Sequence, residues 1–161
     1  MKKLRLFLET SAIGNLVQHT KPKEMADMNE LWEMIKKGEY EIVISTTVTN
    51  ELMAIKEDNI RDLILEYLDQ VVFERQIITA EMHIIAKMII HYSILTENSY
   101  NDCTHIACAL ISGCDCIVSY NFRHLVNIRT IKGVRSISLI NGYGDIDIIT
   151  ADTLIKKGGA I

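Results

Sequence analysis

Three short apolar segments, separated by longer segments of helical periodicity, constrain the fold of this chain most strongly. The apolar segments span residues 4–8, 41–45 and 116–119. Runs this short and this apolar are typical of strands that are buried on both faces of a parallel sheet. Strands that alternate with helices predict an α/β fold in which helices cover both faces of the sheet.

The helical segments carry start and stop signals. Between residues 22 and 37, Pro22 suits the first turn of a helix and Gly38 suits the position after its last turn. The apolar residues between them recur at helical spacing: Met25, Met28, Leu31, Trp32 and Ile35. Further helices are predicted after the hydroxyls of residues 45–47, over 58–68, from Thr79 to residue 90, and over 99–112. A fourth strand is predicted over 136–140, ending at Asn141-Gly142.

Composition narrows the class of protein. The chain has 161 residues, 48% of them apolar, which suits one folded domain over 1–161. No apolar run approaches the roughly 20 residues of a membrane-spanning helix, and the apolar stretch after the first basic residues is too short for a signal peptide. We therefore expect a cytoplasmic protein with no membrane partner.

The charge is unevenly distributed. The formal net charge is -4, whereas a wide surface for duplex DNA is normally basic. Residues 116–144 nevertheless contain no acid and include Arg123, Arg129, Lys132 and Arg135. This segment is either a mildly basic lobe or a set of solvated loop charges, and charge alone does not decide between them.

The four cysteines lie within fourteen residues, at positions 103, 108, 114 and 116. Their spacing matches neither paired C-x2-C zinc units nor a secreted disulfide framework. We expect them to be small packing residues on a helix and the following strand.

Polar side chains follow the predicted strands where those strands end. Glu9 comes directly after the first strand, and Asn121 follows the third. Glu51 lies about one and a half turns into the helix after the second strand, and Asp102 lies in the first turn of the helix over 99–112. Ligand sites of parallel sheets lie beyond the carboxyl ends of the strands, where the strand order reverses. We expect these four residues to converge there, whereas Asp115 belongs to the opposite edge.

Each of these residues also has a structural interpretation. Asp102 can complement a helix dipole, and Glu51 can be an ordinary exposed helix residue. Asn121 can shape a turn. Glu9 is harder to explain in this way, because a carboxylate that ends a buried strand is costly without a partner. Their joint placement favours a functional site.

Clustered carboxylates repel one another unless protons or cations compensate their charge. Mg²⁺ and Mn²⁺ are held in this way, by one or two carboxylates with waters that complete the octahedron. Such an ion can bind a phosphate oxygen and activate a water for phosphodiester cleavage. It also allows an acidic protein to hold a polyanion.

Four segments in this order resemble the PIN domain family. They are residues 6–11 (LFLETS), 46–52 (TTVTNEL), 101–109 (NDCTHIACA) and 115–127 (DCIVSYNFRHLVN). The third is the most specific, and the resemblance covers nearly the whole chain. His105, three residues after Asp102 and on the same helix face, and His124 belong to these segments; each can pack locally or touch substrate.

The resemblance implies a three-layer α/β/α sandwich with a central, mostly parallel sheet of about four to five strands. It also implies an endoribonuclease for single-stranded RNA that depends on Mg²⁺ or Mn²⁺. Small members of this kind are often VapC-like toxins of toxin–antitoxin pairs, form homodimers and are silenced by a small antitoxin protein. Glu9, Glu51 and Asp102 fall on the family's first three acidic positions and are the candidate metal ligands. With Asn121 they form the candidate catalytic set; the candidate substrate-binding residues are Thr10, Ser119 and Arg123.

Two positions depart from the family's pattern. The first acid is usually Asp and here is Glu9; the fourth acidic position is here Asn121, which offers a carbonyl oxygen without charge. These departures support an alternative, a degenerate PIN domain that binds RNA or a protein without cutting. A receiver or haloacid-dehalogenase-type phosphatase is disfavoured, because the required acid pairs are missing from residues 9–11.

Overall fold

A computed structural model describes residues 2–159 of the chain, and the side chains of residues 2–155. Its centre is a parallel sheet of five strands in the order β3-β2-β1-β4-β5. The strands are β1 (Arg5–Leu8), β2 (Glu41–Ser45), β3 (Glu74–Gln76), β4 (Cys116–Val118) and β5 (Asp147–Ile149). The predicted α/β class with a parallel sheet is confirmed. The prediction of a single domain over 1–161 includes Met1, Ala160 and Ile161, which lie outside the described residues.

Helices connect and cover these strands. They are α1 (Thr10–Gly14), α2 (Pro22–Lys36), α3 (Thr46–Met53), α4 (Asp58–Asp69), α5 (Ala80–His91), α6 (Tyr100–Ile111), α7 (Ile128–Ile140) and α8 (Asp152–Gly159), with 3-10 turns at Asn15–Val17 and Glu97–Ser99. Helices α5, α6 and α7 pack together, and α2 packs against α8. Right-handed crossovers place these two groups on opposite faces of the sheet. The predicted three-layer sandwich is confirmed.

Strand β1 lies at the centre of the sheet, and its buried residues are all apolar. Phe7 pairs with Val43 of β2 on one side and with Ile117 of β4 on the other, and all three are fully buried. Because β2 and β4 flank β1 on opposite sides, the strand order reverses at β1. The crevice beyond its carboxyl end is therefore the expected place for a ligand.

Several predicted helix boundaries are confirmed. Ser45 caps α3 by accepting a hydrogen bond from the Val48 backbone N–H, and Thr79 caps α5 in the same way. Pro22 is the first residue of α2. The helix predicted over 58–68 begins at Asp58 as α4, and Glu57 occupies its cap position.

The strand predicted over 136–140 is wrong, because these residues form the end of α7. The alternating pattern of Ser136–Ile140 resembles a strand, but the buried residues of the helix, Thr130, Val134, Ile137 and Ser138, recur at helical spacing. The Asn127 side chain starts this helix by accepting a hydrogen bond from the Thr130 N–H at 2.9 Å. The Asn-Gly turn that follows ends a helix rather than a strand.

All four cysteines are buried and none of them forms a disulfide among the described residues, as expected for packing residues. Burial raises the pKa of Cys103 to about 12 and also raises the pKa of Cys114 to about 12. Both thiols are therefore protonated and unreactive at neutral pH. None of the helices within residues 2–159 has the length and apolar character that crossing a bilayer requires.

Candidate active site

Glu9 is buried at the carboxyl end of β1, with 4% of its surface exposed. Its Oε2 accepts a hydrogen bond from the Ser11 backbone N–H at 3.0 Å, which caps α1. Its Oε1 accepts hydrogen bonds from the hydroxyls of Ser11 and Ser119, each at 2.5 Å. Since Ser119 follows β4, the carboxylate ties the ends of two neighbouring strands together. Oε2 keeps a lone pair that no protein group uses among the described residues.

Glu51 lies on α3 and faces the start of α1 and the middle of α6. Its Oε1 accepts a hydrogen bond from Thr10 Oγ1 at 2.6 Å and lies 2.9 Å from Nε2 of His105. His105 is fully buried, and neither of its ring nitrogens makes a hydrogen bond of ordinary geometry with a described residue. Burial alone would raise the pKa of Glu51, but His105, Thr10 and Asn101 together hold the pKa below its ordinary value.

Asp102 lies in the first turn of α6, as predicted, and pairs with a second histidine. Its Oδ2 is 2.9 Å from Nδ1 of His124, which lies in the turn after β4. Burial raises the pKa of Asp102, and the nearby charge of Glu9 raises it further, against the opposing influence of His105 and His124. Ionised Asp102 is therefore held in an unfavourable electrostatic environment.

Asn121 lies beyond β4 and forms a turn. Its Oδ1 accepts a hydrogen bond from the His124 backbone N–H at 3.0 Å, and its own N–H donates to Ser119 Oγ at 3.0 Å. The side chain thus holds the turn that carries His124 towards Asp102. Arg123, in the same turn, is exposed.

The four predicted catalytic residues lie at the carboxyl-terminal edge of the sheet. Glu9 influences Asp102 through its charge, and Glu51 is joined to this pair through Thr10, the residue after Glu9. Within residues 2–159, no three His, Cys, Asp or Glu side chains are placed so that they could hold one metal ion together. The donor chemistry nevertheless fits a hard cation, because carboxylate oxygens meet here without any Lys or Arg partner among the described residues.

Three polar residues at this edge were not assigned a role from the sequence. Ser11 orients Glu9, His105 contacts Glu51, and His124 contacts Asp102. The spacing along α6 predicted that His105 and Asp102 share a helix face. The carboxylate that His105 contacts, however, is Glu51 of α3. Such pairings depend on tertiary packing, which spacing along one helix does not reveal.

Comparisons with known proteins agree with this geometry. Residues 6–129 match the family model of the PIN domain, so the chain belongs to the PIN domain family. PIN domains are generally nucleases, which makes hydrolysis of nucleic acid the activity to consider at this edge.

Among solved structures, the chain is similar to one in the crystal structure of VapBC2 from Rickettsia felis bound to a DNA fragment from their promoter. The match has a TM-score of 0.57 at 14% sequence identity and covers 90% of this chain and 97% of the other. At this identity the likeness shows the shared fold. The comparison with curated proteins found no match.

Proposed function

We propose that this PIN domain is an endoribonuclease that cleaves single-stranded RNA with Mg²⁺ or Mn²⁺ as its cofactor. The observation that carries the proposal is that Glu9 and Asp102 interact through their charges at the carboxyl edge of β1, where Glu51 is bonded to Thr10, the residue after Glu9. Within the described part of the chain, these carboxylates contact hydroxyls and histidines but no Lys or Arg. A site with this excess negative charge is suited to a divalent cation.

Glu9, Glu51 and Asp102 are the residues that would hold the cation, with one or two of the carboxylates as direct ligands and waters completing its shell, since no three such side chains within residues 2–159 are placed around one point. When bound, it would supply an activated water and neutralise charge on a phosphate oxygen. The serine hydroxyls orient Glu9, and the pairing with His124 orients Asp102. Thr10 and His105 keep Glu51 ionised by lowering its pKa. Asn121 acts by holding the turn that positions His124.

Substrate contacts are proposed for three residues around this group. The Ser119 hydroxyl lies beside Glu9, and Thr10 lies between Glu9 and Glu51. Arg123 is the nearest cation along the chain after β4 and is exposed, so its guanidinium is available to a phosphate. These contacts would position RNA whose backbone the acidic protein could not otherwise hold.

The biological setting that we propose is a toxin–antitoxin pair. The structural neighbour belongs to a VapBC2 assembly, and this chain shares its fold. By that likeness, the chain would be a VapC-like toxin that works in the cytoplasm, forms a homodimer and is silenced by a small antitoxin protein. Growth arrest on expression, relieved by coexpression of a small protein from the adjacent reading frame, would support this setting. Expression without growth arrest would argue against it.

The enzymatic proposal is tested by incubating purified protein with end-labelled single-stranded RNA and millimolar Mn²⁺ or Mg²⁺. We expect cleavage that EDTA abolishes and that Asp102→Asn reduces by at least about 100-fold, more than the loss of an outer-shell partner costs. Asp69→Asn is the matched control, because Asp69 is an exposed residue at the end of α4, and its activity should equal that of the parent. Cleavage that survives in Asp102→Asn would contradict the proposal.

A second candidate is a degenerate PIN domain that binds RNA or a partner protein without cutting. It is favoured by the contacts of two predicted site residues. Three hydrogen bonds already engage the Glu9 carboxylate, and the Asn121 amide oxygen is used within its own turn. Binding of RNA without cleavage under any divalent ion would select this candidate.

A further inference from the structure

A polar cleft of about 280 Å³ is lined in part by His124, the histidine that contacts Asp102. Its walls are the loop after α5, the turn after β4 and the start of α7. The polar side chains that line it include Thr96, Ser99, Arg123, His124, Asn127 and Arg129. Because His124 both lines the cleft and contacts Asp102 at 2.9 Å, the cleft adjoins the candidate active site.

The cleft is cationic and holds no compensating acid. No Asp or Glu is among its lining residues, and residues 116–144 contain none. Arg123 and Arg129 make no ion pair with any residue that the structure describes, whereas Arg135, on the same helix as Arg129, pairs with Asp147. Two arginines without protein counter-charges on one small concave surface favour an anionic ligand.

The walls of the cleft are held in place by specific contacts. Ser93, whose φ of 59° is in the left-handed region, follows the C-cap residue of α5, and its carbonyl oxygen accepts a hydrogen bond from Arg129 Nη2 at 3.1 Å. The next residue, Ile94, packs so closely on Gly133 of α7 that an added Cβ there would lie 2.7 Å from its side chain. Arg129 is therefore held at the cleft before any ligand binds, which lowers the entropy cost of binding.

The turn on the other side of the cleft is also fixed. The Asn127 amide donates to the carbonyl oxygens of Phe122 and Arg123, each at 3.1 Å, and Thr130 Oγ1 donates to the carbonyl of His124 at 2.7 Å. Phe122 is 52% exposed and meets Tyr120 edge to face. An exposed aromatic ring beside an arginine is the arrangement on which bases of a single strand stack.

We propose that this cleft binds a backbone phosphate of the single-stranded RNA next to the cleaved bond, through Arg129 and Arg123, while Phe122 stacks on an adjacent base. The inference rests on the proposed function, since it assigns the substrate path that leads to Asp102. It extends that function by naming Arg129, Phe122 and the loop after α5 as parts of the RNA surface.

The test measures binding without cleavage. Fluorescein-labelled single-stranded RNA is titrated with protein in EDTA, and anisotropy gives the association constant over a range of KCl concentrations. Each phosphate contact with a single strand contributes about 0.7 to the slope of log K against log salt. Arg129→Gln should therefore reduce the slope by about 0.7 and weaken binding at low salt about three- to tenfold.

Arg135→Gln is the matched control, because it removes the same charge from the same helix at a position paired with Asp147. Its slope should equal that of the parent. Phe122→Ala should weaken binding by about fivefold or more without changing the slope, because stacking releases no counterions. Parallel slopes for the parent and Arg129→Gln would overturn the proposal, as would equal losses in Arg129→Gln and Arg135→Gln or no RNA binding by the parent at low salt.

The nuclease activity and the RNA-binding role of the cleft can be contradicted separately. If the parent cleaves RNA and Asp102→Asn does not, but Arg129→Gln binds as the parent does, the nuclease proposal stands and the cleft is not part of the RNA path. If Arg129→Gln lowers the salt slope while no divalent ion supports cleavage, the RNA surface stands and the nuclease proposal fails. An acidic peptide that displaces the RNA from the parent but not from Arg129→Gln would support the cleft as an anion site.

Discussion

The two edges of the sheet both gather acidic residues, but they compensate the charge differently. At the amino-terminal edge, Arg5 forms ion pairs with Glu41 and Glu74, and its backbone N–H donates to Asp115 at 2.8 Å. At the carboxyl-terminal edge, Glu9 and Asp102 meet only hydroxyls, backbone N–H groups and histidines among the described residues.

This difference separates a structural cluster from a candidate functional one. Arg5 supplies a permanent cation, so the acids around it need nothing from solution. Burial raises the pKa of Asp102 and the charge of Glu9 raises it further, so repulsion between the two carboxylates persists in the folded protein. Such repulsion does not stabilise the fold. Its presence in the crevice where a parallel sheet is expected to bind a ligand therefore favours a cation site.

The largest effect is expected when the compensated edge loses its cation. Arg5→Ala removes the partner of Glu41 and Glu74 and a hydrogen bond of 2.8 Å to the Ser112 carbonyl. We expect the free energy of unfolding to fall by about 2 kcal/mol, since these hydrogen bonds involve charged groups but are partly solvated. Urea denaturation measures this change. Arg75→Ala, which removes an exposed arginine of β3, should stay within about 0.5 kcal/mol of the parent.

An equal loss in both variants would show that Arg5 does no more than a surface charge. The claim that Arg5 compensates the acids of the amino-terminal edge would then be contradicted.

A smaller effect, of opposite sign for two residues, is expected within the candidate site. The lowered pKa of Glu51 means that its ionised form stabilises the fold above the ordinary carboxyl pKa, and this contribution is lost as pH falls through the lowered value. The raised pKa of Asp102 means that stability is lost as pH rises from the ordinary pKa through the raised value.

Without metal near neutral pH, Glu51→Gln should therefore destabilise the protein and Asp102→Asn should stabilise it, each by up to about 1 kcal/mol because both groups are partly solvated. Urea denaturation at neutral pH and at progressively lower pH measures both changes. As pH falls, the Asp102→Asn difference should shrink first, because the pKa of Asp102 is raised, and the Glu51→Gln difference should shrink only below the ordinary carboxyl pKa, where Glu51 becomes protonated. Changes of the same sign would contradict the contrast between the two carboxylates.

The three central strands of the sheet, and the placement of the candidate site residues at one of its edges, were predictable from the sequence. The buried strands β1, β2 and β4 are short and apolar, and their order with the helices placed Glu9, Glu51 and Asp102 at one edge. Strands β3 and β5 were missed. Glu74–Gln76 is polar and largely exposed, and Asp147–Ile149 is three residues long with one buried residue, so no apolar run of strand length marks either. The end of α7 was misassigned because a five-residue alternating pattern fits both periods. The pairing of His105 with Glu51 depends on how α3 packs against α6, which no local pattern encodes.

The smallest expected effect concerns Asn121, at the position where the family usually has an acid. Asn121→Asp keeps an acceptor for the His124 N–H but adds a negative charge beside the carboxylates. Without metal it should destabilise the fold by about 0.5 kcal/mol. With Mn²⁺ the charged oxygen should lower the concentration needed for half-maximal thermal stabilisation. Identical Mn²⁺ midpoints for the parent and the variant would limit Asn121 to its role in the turn.

The central claim, that the uncompensated edge binds a divalent cation, is tested most directly by thermal unfolding across a titration with Mn²⁺. The parent and the Asp69→Asn control should both melt at increasing temperature as Mn²⁺ rises, because an ion that binds only the folded state must stabilise it. Asp102→Asn should start at a higher melting temperature without metal and gain much less from Mn²⁺. A parent whose melting temperature does not respond to Mn²⁺ or Mg²⁺, or an Asp102→Asn variant that gains as much as the parent, would contradict the claim.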